Sequence, residues 1–322
     1  MGAEPVTVAI PVRNGGGRLR EVLAAVRTQE LDRPVELLVA DSGSTDGSVG
    51  VAETYGATVI PVAPGEFSHS GTRNQLLERS RGSHVAFLTQ DAVPATESWL
   101  ARLLDGFTLA DDVALVFGPY LPRADASPMV VRELREWFGS FAHDGRPQVD
   151  RGAPAGESAS PRAGFFTDAN GCVARWAWAG VPFPDVEYAE DQALARDMLA
   201  SGHAKAYHPD AAVIHSHDYP PIQLFQRSFD EWRALAEVRG MAAEGRPLRL
   251  ALDVQRRVRD DLRYVRRDGA GAPGLIRTAA ASLGHHAARA SGAALGSRAA
   301  RLPAPIRRAC SLEGRAGGTP AG

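Results

Sequence analysis

The sequence predicts an α/β fold: a mostly parallel central sheet flanked by helices, with a helical extension at the C-terminal side. Three features carry that expectation. Short apolar runs of strand length alternate with segments of helical spacing. Those runs are apolar at successive positions, as strands buried on both faces are. Polar clusters then recur where the runs stop, which in open α/β sheets is where ligands bind.

Taken in order, VTVAIPV (6–12) is a strand, and RLREVLAAV (18–26) sets Leu19, Val22, Leu23 and Val26 on one side of a helix. VELLVAD (35–41) is a second strand ending on Asp41, after which Ser44-Thr45-Asp46 supplies the cap of a helix running to Gly56. ATVIPV (57–62) is a third strand, and the loop PGEFSHSG leads into a helix over 72–81. The organising strand is SHVAFLTQD (83–91): Val85, Ala86, Phe87 and Leu88 form its apolar run, it stops on Thr89-Gln90-Asp91, and Pro94 ends the element. A helix near 96–105 and a strand VALVFGPY (113–120) follow.

The second part is less regular. A helix near 128–141 leads into 142–163, rich in Gly, Pro, Ala and Ser, which is expected to be a functional or disordered loop. FFTDANGCVA (165–174) reads as a strand with a polar turn, AEDQALARDMLASG (189–202) as a capped helix and AKAYHPDAAVIHSH (204–217) as an extended segment. Helices are expected over 248–267 and 273–300, and a disordered Gly- and Ala-rich tail from 313. The expected organisation is an α/β domain over 1–220, a basic helical extension over 221–312 and the tail 313–322.

Composition is ordinary for a globular protein, with 44% hydrophobic and 23% charged residues. Cys172 and Cys310 make neither a disulfide framework nor a metal spacing, which suits a reducing, cytoplasmic setting. No signal peptide is recognised, and no apolar run approaches the ~20 residues that span a bilayer. The net charge of −2 hides an asymmetry: residues 240–322 hold 15 Arg and 6 acids, leaving 21 basic and 32 acidic residues in 1–239. The chain is an acidic body with a basic tail.

Each polar cluster has a plain reading beside a functional one. Asp91 either caps the next helix or stands in the ligand crevice beyond a buried strand. DSGSTDGS (41–48) is a turn and cap, or places Asp41 against a ribose or base. The glycines of NGGGR (14–18) do not form a dinucleotide fingerprint. FSHSGTRN (67–74) sets His69, Arg73 and Asn74 around a glycine, as an anion site at a helix start would. Glu190 and Asp191 suit a first helical turn, yet one of them facing a pocket would serve as a general base. HSH (215–217) turns His215 and His217 to the same side of an extended chain, and with a strand-end carboxylate they suit a borderline cation such as Mn²⁺.

The ordered set VAIPVRNGG, VADSGSTDGS, TRNQLLERSRGSHVAFLTQDA, FFTDANGCVAR, AED and HSH resembles the family 2 glycosyltransferases of the GT-A fold. FSHSGTRN, FLTQDA and PFPDVEYAEDQALA are similar to the bacterial rhamnosyltransferase branch, over residues 5–220. The resemblance implies a nucleotide-diphospho-sugar transferase fold and a divalent metal, Mn²⁺ or Mg²⁺. Asp91 matches the metal-holding carboxylate of a D-x-D-like motif whose first position is Thr89 here. His217, or His215, matches the histidine that completes the metal shell. Pro11, Arg13, Asn14, Asp41 and Ser42 match the nucleoside region, and His69, Arg73, Asn74 and Gln90 the rest of the donor site. Asp168 and Asn170 fall where the family lines the sugar and acceptor pocket. Asp191 matches the catalytic base, with Glu190 its neighbour. Where many members have two acids after the second strand, this chain has Asp41-Ser42.

The implied reaction is inverting transfer from a nucleotide diphosphate donor, dTDP-L-rhamnose by the branch resembled, to a hydroxyl of a glycan, lipid-linked or small-molecule acceptor in polysaccharide or cell-wall biosynthesis. A UDP- or GDP-hexose donor and a non-catalytic nucleotide-sugar-binding protein are the alternatives. The basic tail suits a solvated helical cap or, the favoured reading, peripheral contact with an anionic membrane surface. No base-stacking module points to nucleic acid.

Overall fold

The computed structural model describes residues 4–63, 65–142, 144–152, 162, 164–267, 269 and 271–312. Half of the loop expected over 142–163, and the tail from 313, lie outside the described residues; in the described half Gln148–Asp150 is a strand paired with Ala204–Tyr207 rather than loop. The chain forms two compact units: residues 1–123 with 134–216, and residues 124–133 with 217–322.

The first unit opens β1 (Val6–Val12), α1 (Gly16–Arg27), β2 (Val35–Asp41), α2 (Ser48–Thr54), β3 (Thr58–Pro61), α3 (His69–Arg79) and β4 (His84–Leu88). It continues with β5 (Val93–Pro94), α4 (Trp99–Phe107), β6 (Val113–Phe117) and β7 (Tyr120–Leu121); α5 (Pro128–Gly139) starts in the second unit and ends in the first. Then come β8 (Gln148–Asp150), β9 (Asn170–Ala174), α6 (Arg175–Trp178), α7 (Glu190–Ala200), β10 (Ala204–Tyr207) and β11 (Val213–Ile214).

Eight strands form one sheet in the order β3-β2-β1-β4-β9-β6-β10-β8. β3, β2, β1 and β4 are parallel, β9 runs antiparallel between β4 and β6, β10 is parallel to β6, and β8 closes the edge antiparallel. The sheet is thus mixed but mostly parallel. Side chains alternate across it: Ala86 and Leu88 of β4 pack with Leu19, Leu23, Trp99 and Leu103, while Val85 and Phe87 pack with Leu76, Leu77, Phe183 and Leu194. Both faces are therefore covered, which is why the strand runs carry no polar alternation. The chain leaves β1 toward β2 on one side and has β4 on the other, so the crevice beyond their carboxyl ends is a topological switch point.

Several local expectations shift. α3 starts ahead of the expected position 72, because the Ser68 hydroxyl caps it by accepting the Gly71 N–H at 3.0 Å. α2 starts at Ser48, after Gly47 in the left-handed region (φ 86°), so Ser44, Thr45 and Asp46 belong to the preceding loop. α7 has no side-chain cap; its N-cap is Ala189, also left-handed at φ 60°. Only Asn170–Ala174 of the expected 165–174 strand joins the sheet.

The second unit is helical: the start of α5, then α8 (Pro221–Arg239), α9 (Pro247–Arg267), α10 (Ala272–Gly296) and α11 (Ala304–Cys310). α10 lies directly on the α8 backbone. Gly292 and Gly296, four apart on one face, leave no room for a Cβ against the carbonyls of Phe225 and Phe229. No helix among the described residues is long and apolar enough to cross a membrane.

Candidate active site

The loops after β1 and β2 are tied into one wall. Asn14, in the left-handed region that asparagine tolerates (φ 51°), donates its N–H to Ser44 Oγ at 2.8 Å and accepts the Thr45 N–H at 2.8 Å. Gly15 donates to Ser48 Oγ at 2.9 Å and Gly16 to Asp46 Oδ2 at 2.9 Å. Asp41, at the end of β2, accepts the Gly43 and Ser44 N–H groups, each at 3.1 Å. From the end of β4, Gln90 accepts the Arg13 N–H at 2.8 Å and donates back to the Arg13 carbonyl at 3.1 Å. DSGSTDGS is thus both a turn and a shaped wall, and Gln90 fixes the β1 loop against the end of β4.

A buried charge cluster centres on Arg73. Arg73, on α3 and 4% exposed, pairs with Asp168 through Nε and with Glu190 Oε1 at 2.8 Å through Nη1. Its Nη1 also donates to the His69 carbonyl at 3.1 Å, and His69 Nδ1 stands 3.7 Å from Glu190. Burial works against the Arg73 charge, but Asp168, Glu190 and Asp191 outweigh it and hold the guanidinium above its ordinary range. One cation faces three acids, so the balance is acid-rich. Burial, reinforced by Glu190, pushes the Asp168 carboxyl up to about 7 despite Arg73. Burial, then Asp168 and Glu190, push Asp191 well above the carboxylate range, although it accepts the Gln192 N–H at 2.7 Å. The left-handed Ala189 sets the direction in which Glu190 and Asp191 leave the backbone. A non-glycine residue held there stores about 1–3 kcal/mol, a cost that clusters at functional sites.

The third part is the end of β4. Asp91 Oδ1 stands 3.5 Å from His215 Nδ1, its Oδ2 is 3.8 Å from Arg18, and its carbonyl accepts Arg123 Nη2 at 2.6 Å. Arg123 also pairs with Glu21 at 3.6 Å. The His215 ring rests edge-on against Tyr120, 4.9 Å between centroids, and the Tyr120 hydroxyl bonds Thr167. Burial drives the Tyr120 phenol up, keeping it neutral beside these acids.

Acidic side chains thus gather at the ends of β2 and β4, ahead of β9 and at the start of α7, around the switch point of the sheet. Residues 7–158 match the Glycosyl transferase family 2 model. The chain is 32% identical over 228 residues, 70% of each protein, to the O-antigen chain rhamnosyltransferase WbaN of Salmonella anatum. The chain belongs to glycosyl transferase family 2. It is also 31% identical over 230 residues, again 70% of each, to the O-antigen chain rhamnosyltransferase RfbN of Salmonella typhimurium. Among solved structures, the mannosyltransferase PcManGT from Pyrobaculum calidifontis, in complex with GDP-Man and Mn²⁺, superposes with a TM-score of 0.52 at 19% identity, covering 94% of this chain and 79% of that one. Glucosyl-3-phosphoglycerate synthase from Mycobacterium tuberculosis, with Mn²⁺, UDP and phosphoglyceric acid, gives 0.51 at 19% identity, covering 76% and 81%. These likenesses place the fold among the GT-A enzymes.

In this family 2 glycosyltransferase, a nucleotide-sugar-using enzyme, Asn170, expected in the sugar and acceptor pocket, and Asn74, expected in the donor site, have other work. Asn170 is buried: its Nδ2 donates to the Pro119 and Ala211 carbonyls at 3.2 and 2.8 Å, and its Oδ1 accepts Trp99 Nε1 at 2.8 Å. It builds the floor under the site and offers no free amide. Gly118 belongs to the same floor, since a Cβ there would overlap the Ala211 carbonyl. Asn74 likewise accepts from Trp178 Nε1 and the Phe183 N–H and donates to the Phe183 carbonyl, locking α3 to the segment before α7. Pro11 and Ser42 shape the first wall: Pro11 is in β1, and the Ser42 hydroxyl donates to the Val12 carbonyl at 3.2 Å. His217 falls in the second unit, stacked on Tyr219 at 5.3 Å.

Sequence reading missed Arg18, Arg123 and the Tyr120–Thr167 pair. Arg18 sits in the NGGGR stretch, where the glycines drew attention away from the cation. For Arg123 no local signal existed: it reaches Asp91 from 32 positions away, across the fold.

Proposed function

We propose that this enzyme is an inverting rhamnosyltransferase that moves L-rhamnose from dTDP-L-rhamnose to a hydroxyl of a glycan or lipid-linked acceptor during polysaccharide assembly. The observation that carries the mechanism is the acid-rich cluster around Arg73, in which Asp191 has a strongly raised proton affinity. The two rhamnosyltransferase relatives support the donor.

Asp191 takes the acceptor hydroxyl proton as that oxygen forms its bond to the anomeric carbon from the face opposite the leaving group. The bond from that carbon to the diphosphate oxygen breaks, and the nucleoside diphosphate leaves with the electron pair. A base whose proton affinity is raised toward the working pH is more effective than an ordinary carboxylate. Arg73 keeps Glu190 and Asp168 in place beside it, and Glu190 is the second candidate for the base. The β1 and β2 loops, with Asp41, Arg13 and Asn14 framed by Pro11, Ser42 and Gln90, hold the nucleoside. His69 faces the donor from the start of α3.

The donor set at the end of β4 fits the divalent ion that the GT-A fold implies: a carboxylate and an imidazole 3.5 Å apart suit a borderline cation. Asp91 with His215 would hold Mn²⁺ or Mg²⁺, which when bound supplies charge neutralisation for the departing diphosphate. Few protein ligands suffice, because phosphates and water complete such shells.

The test is donor consumption. Purified protein with acceptor and divalent metal should release dTDP from dTDP-L-rhamnose, and Asp91→Ala should abolish metal-dependent donor binding. Turnover of a UDP- or GDP-hexose instead would keep the mechanism and replace the donor; the complexes of PcManGT with GDP-Man and of the synthase with UDP make that the second reading. Binding without consumption of any donor would leave only a nucleotide-sugar-binding protein.

The proposed place of action is the cytoplasmic face of a membrane. Within the second unit Leu248, Leu252 and Ile276 are exposed at 73%, 55% and 72%, beside exposed Arg249, Arg256, Arg259 and Arg277. An apolar strip rimmed by arginine suits an anionic lipid surface. Co-sedimentation with anionic vesicles should weaken in an Arg259→Glu/Ile276→Asp variant; indifference to lipid charge and to the variant would sink this placement.

A further inference from the structure

In the second unit, α5, α9 and α10 bring a second set of metal-ligand types together. Glu133 of α5, His285 and His286 of α10 each offer a ligand atom, and these atoms lie within 4.8 Å of one another. We propose that this trio is a structural site for a transition-metal dication, Zn²⁺ by its donors, that staples α5 to α10.

Spacing is the first reason. His285 Nε2 is 3.2 Å and His286 Nδ1 3.6 Å from the two Glu133 oxygens. Ligand atoms on a tetrahedral Zn²⁺, with bonds of about 2.0–2.1 Å, stand roughly 3.3–3.4 Å apart. The second reason is a pair of buried atoms that the protein leaves without a hydrogen bond. His286 Nδ1 and Glu133 Oε1 have no hydrogen-bond partner and face each other at 3.6 Å, too far for a hydrogen bond. A cation between them would satisfy both.

The third reason is the support behind His286. Its Nε2 lies 2.7 Å from Asp261 Oδ2, and Asp261, with no exposed surface, also takes Arg132 Nε at 2.6 Å and the Ser282 hydroxyl at 2.5 Å. A buried carboxylate on the far nitrogen fixes the tautomer that presents Nδ1 as a lone pair, the carboxylate–histidine arrangement that orients metal-binding imidazoles. Two guanidinium groups oppose the ion: Arg289 at 3.0 Å and Arg257 at 3.8 Å from Glu133. Their side chains are 45% and 37% exposed, so both can turn to solvent. Their charge selects against hard ions held by carboxylate alone and for one that gains most from imidazole nitrogen.

The test uses the full chain carrying Asp91→Ala, which removes the site at the end of β4 from the count. After dialysis against a chelator, Zn²⁺ is titrated in competition with a chromogenic chelator, and thermal unfolding is followed with and without Zn²⁺. One Zn²⁺ per chain and a raised Tm are expected. Adding His285→Gln should weaken uptake at least tenfold and remove the Tm rise, while leaving the zinc-free Tm near that of its parent. Adding Asp261→Asn should weaken it about 10–100-fold. No uptake by the Asp91→Ala protein, or uptake and Tm rise unchanged by His285→Gln, would overturn the proposal.

Discussion

Two buried charge clusters, one in each unit, use the same residue types to opposite effect. Around Arg73 one cation meets Asp168, Glu190 and Asp191, so acids are in excess and two of them are driven toward their neutral forms. Around Glu133 and Asp261 the cations prevail. Burial would raise Glu133, but Arg289, His285 and His286 bring it down to about 2, and Asp261 is lowered by His286, Ser282 and Arg132 against its own burial. Burial pushes every carboxyl the same way; the local charge balance decides which outcome wins. An acid-rich pocket keeps a carboxylate that wants a proton, which is what a base needs. A cation-rich one keeps carboxylates ionised as ties or ligands.

The largest expected effect tests the acid-rich side. Asp191→Asn should lower kcat by at least ~10²–10⁴-fold with donor affinity nearly unchanged. In the parent, the acid limb of the kcat/KM profile should fall above the ordinary carboxylate range, because the base works only once ionised. A limb near pH 4 in steady-state rates would remove Asp191 from that role.

Next in size is the cation that holds the cluster. Arg73→Ala leaves buried acids without their partner and should cost about 3–5 kcal/mol of stability in urea unfolding. A loss within the scatter of surface substitutions would mean the cluster is less buried than the geometry shows.

The contrast is sharpest in pH dependence. Asp168 is raised from 3.8 to about 7, so folding favours its neutral form, and its contribution is full below 3.8 and lost as pH rises through about 7. Glu133 is lowered from 4.5 to about 2, so its contribution is present above 4.5 and lost as pH falls through about 2. Relative to the parent, Asp168→Asn should gain stability as pH rises from 3.8 to about 7 and level off above it. Glu133→Gln should lose relative stability as pH rises from the acid side to 4.5. Urea midpoints across pH that move the two differences in the same direction would break the comparison.

The smallest effect is the control. Arg263 pairs with Asp260 at 3.0 Å but is 72% exposed, so Arg263→Ala should change stability by less than about 1 kcal/mol.

Much of the fold was legible in order along the chain. Val6–Val12, Val35–Asp41 and His84–Leu88 are apolar at successive positions because both faces of the sheet are covered, and that pattern is local. The same holds for Leu19, Val22, Leu23 and Val26 on the buried side of α1. Helix starts were less secure. The turn chemistry of Ser44-Thr45-Asp46 went into the wall with Asn14 and Gly16, and α7 starts on a strained alanine where no capping residue announces it.

By itself the sequence determined the strand and helix alternation, the carboxylates at strand ends and the family motifs, because each depends on residues near one another in the chain. Only the tertiary structure decided what those residues do. It reversed β9 between β4 and β6, a choice set by pairing across more than 80 positions at Leu88 and Asn170. It turned Asn170 and Asn74 inward to bind backbone, brought Arg123 to Asp91, and gathered Glu133, Asp261 and His286 from three helices. Hydrogen bonds and charge balances of this kind act through space. They exist only once distant segments have packed.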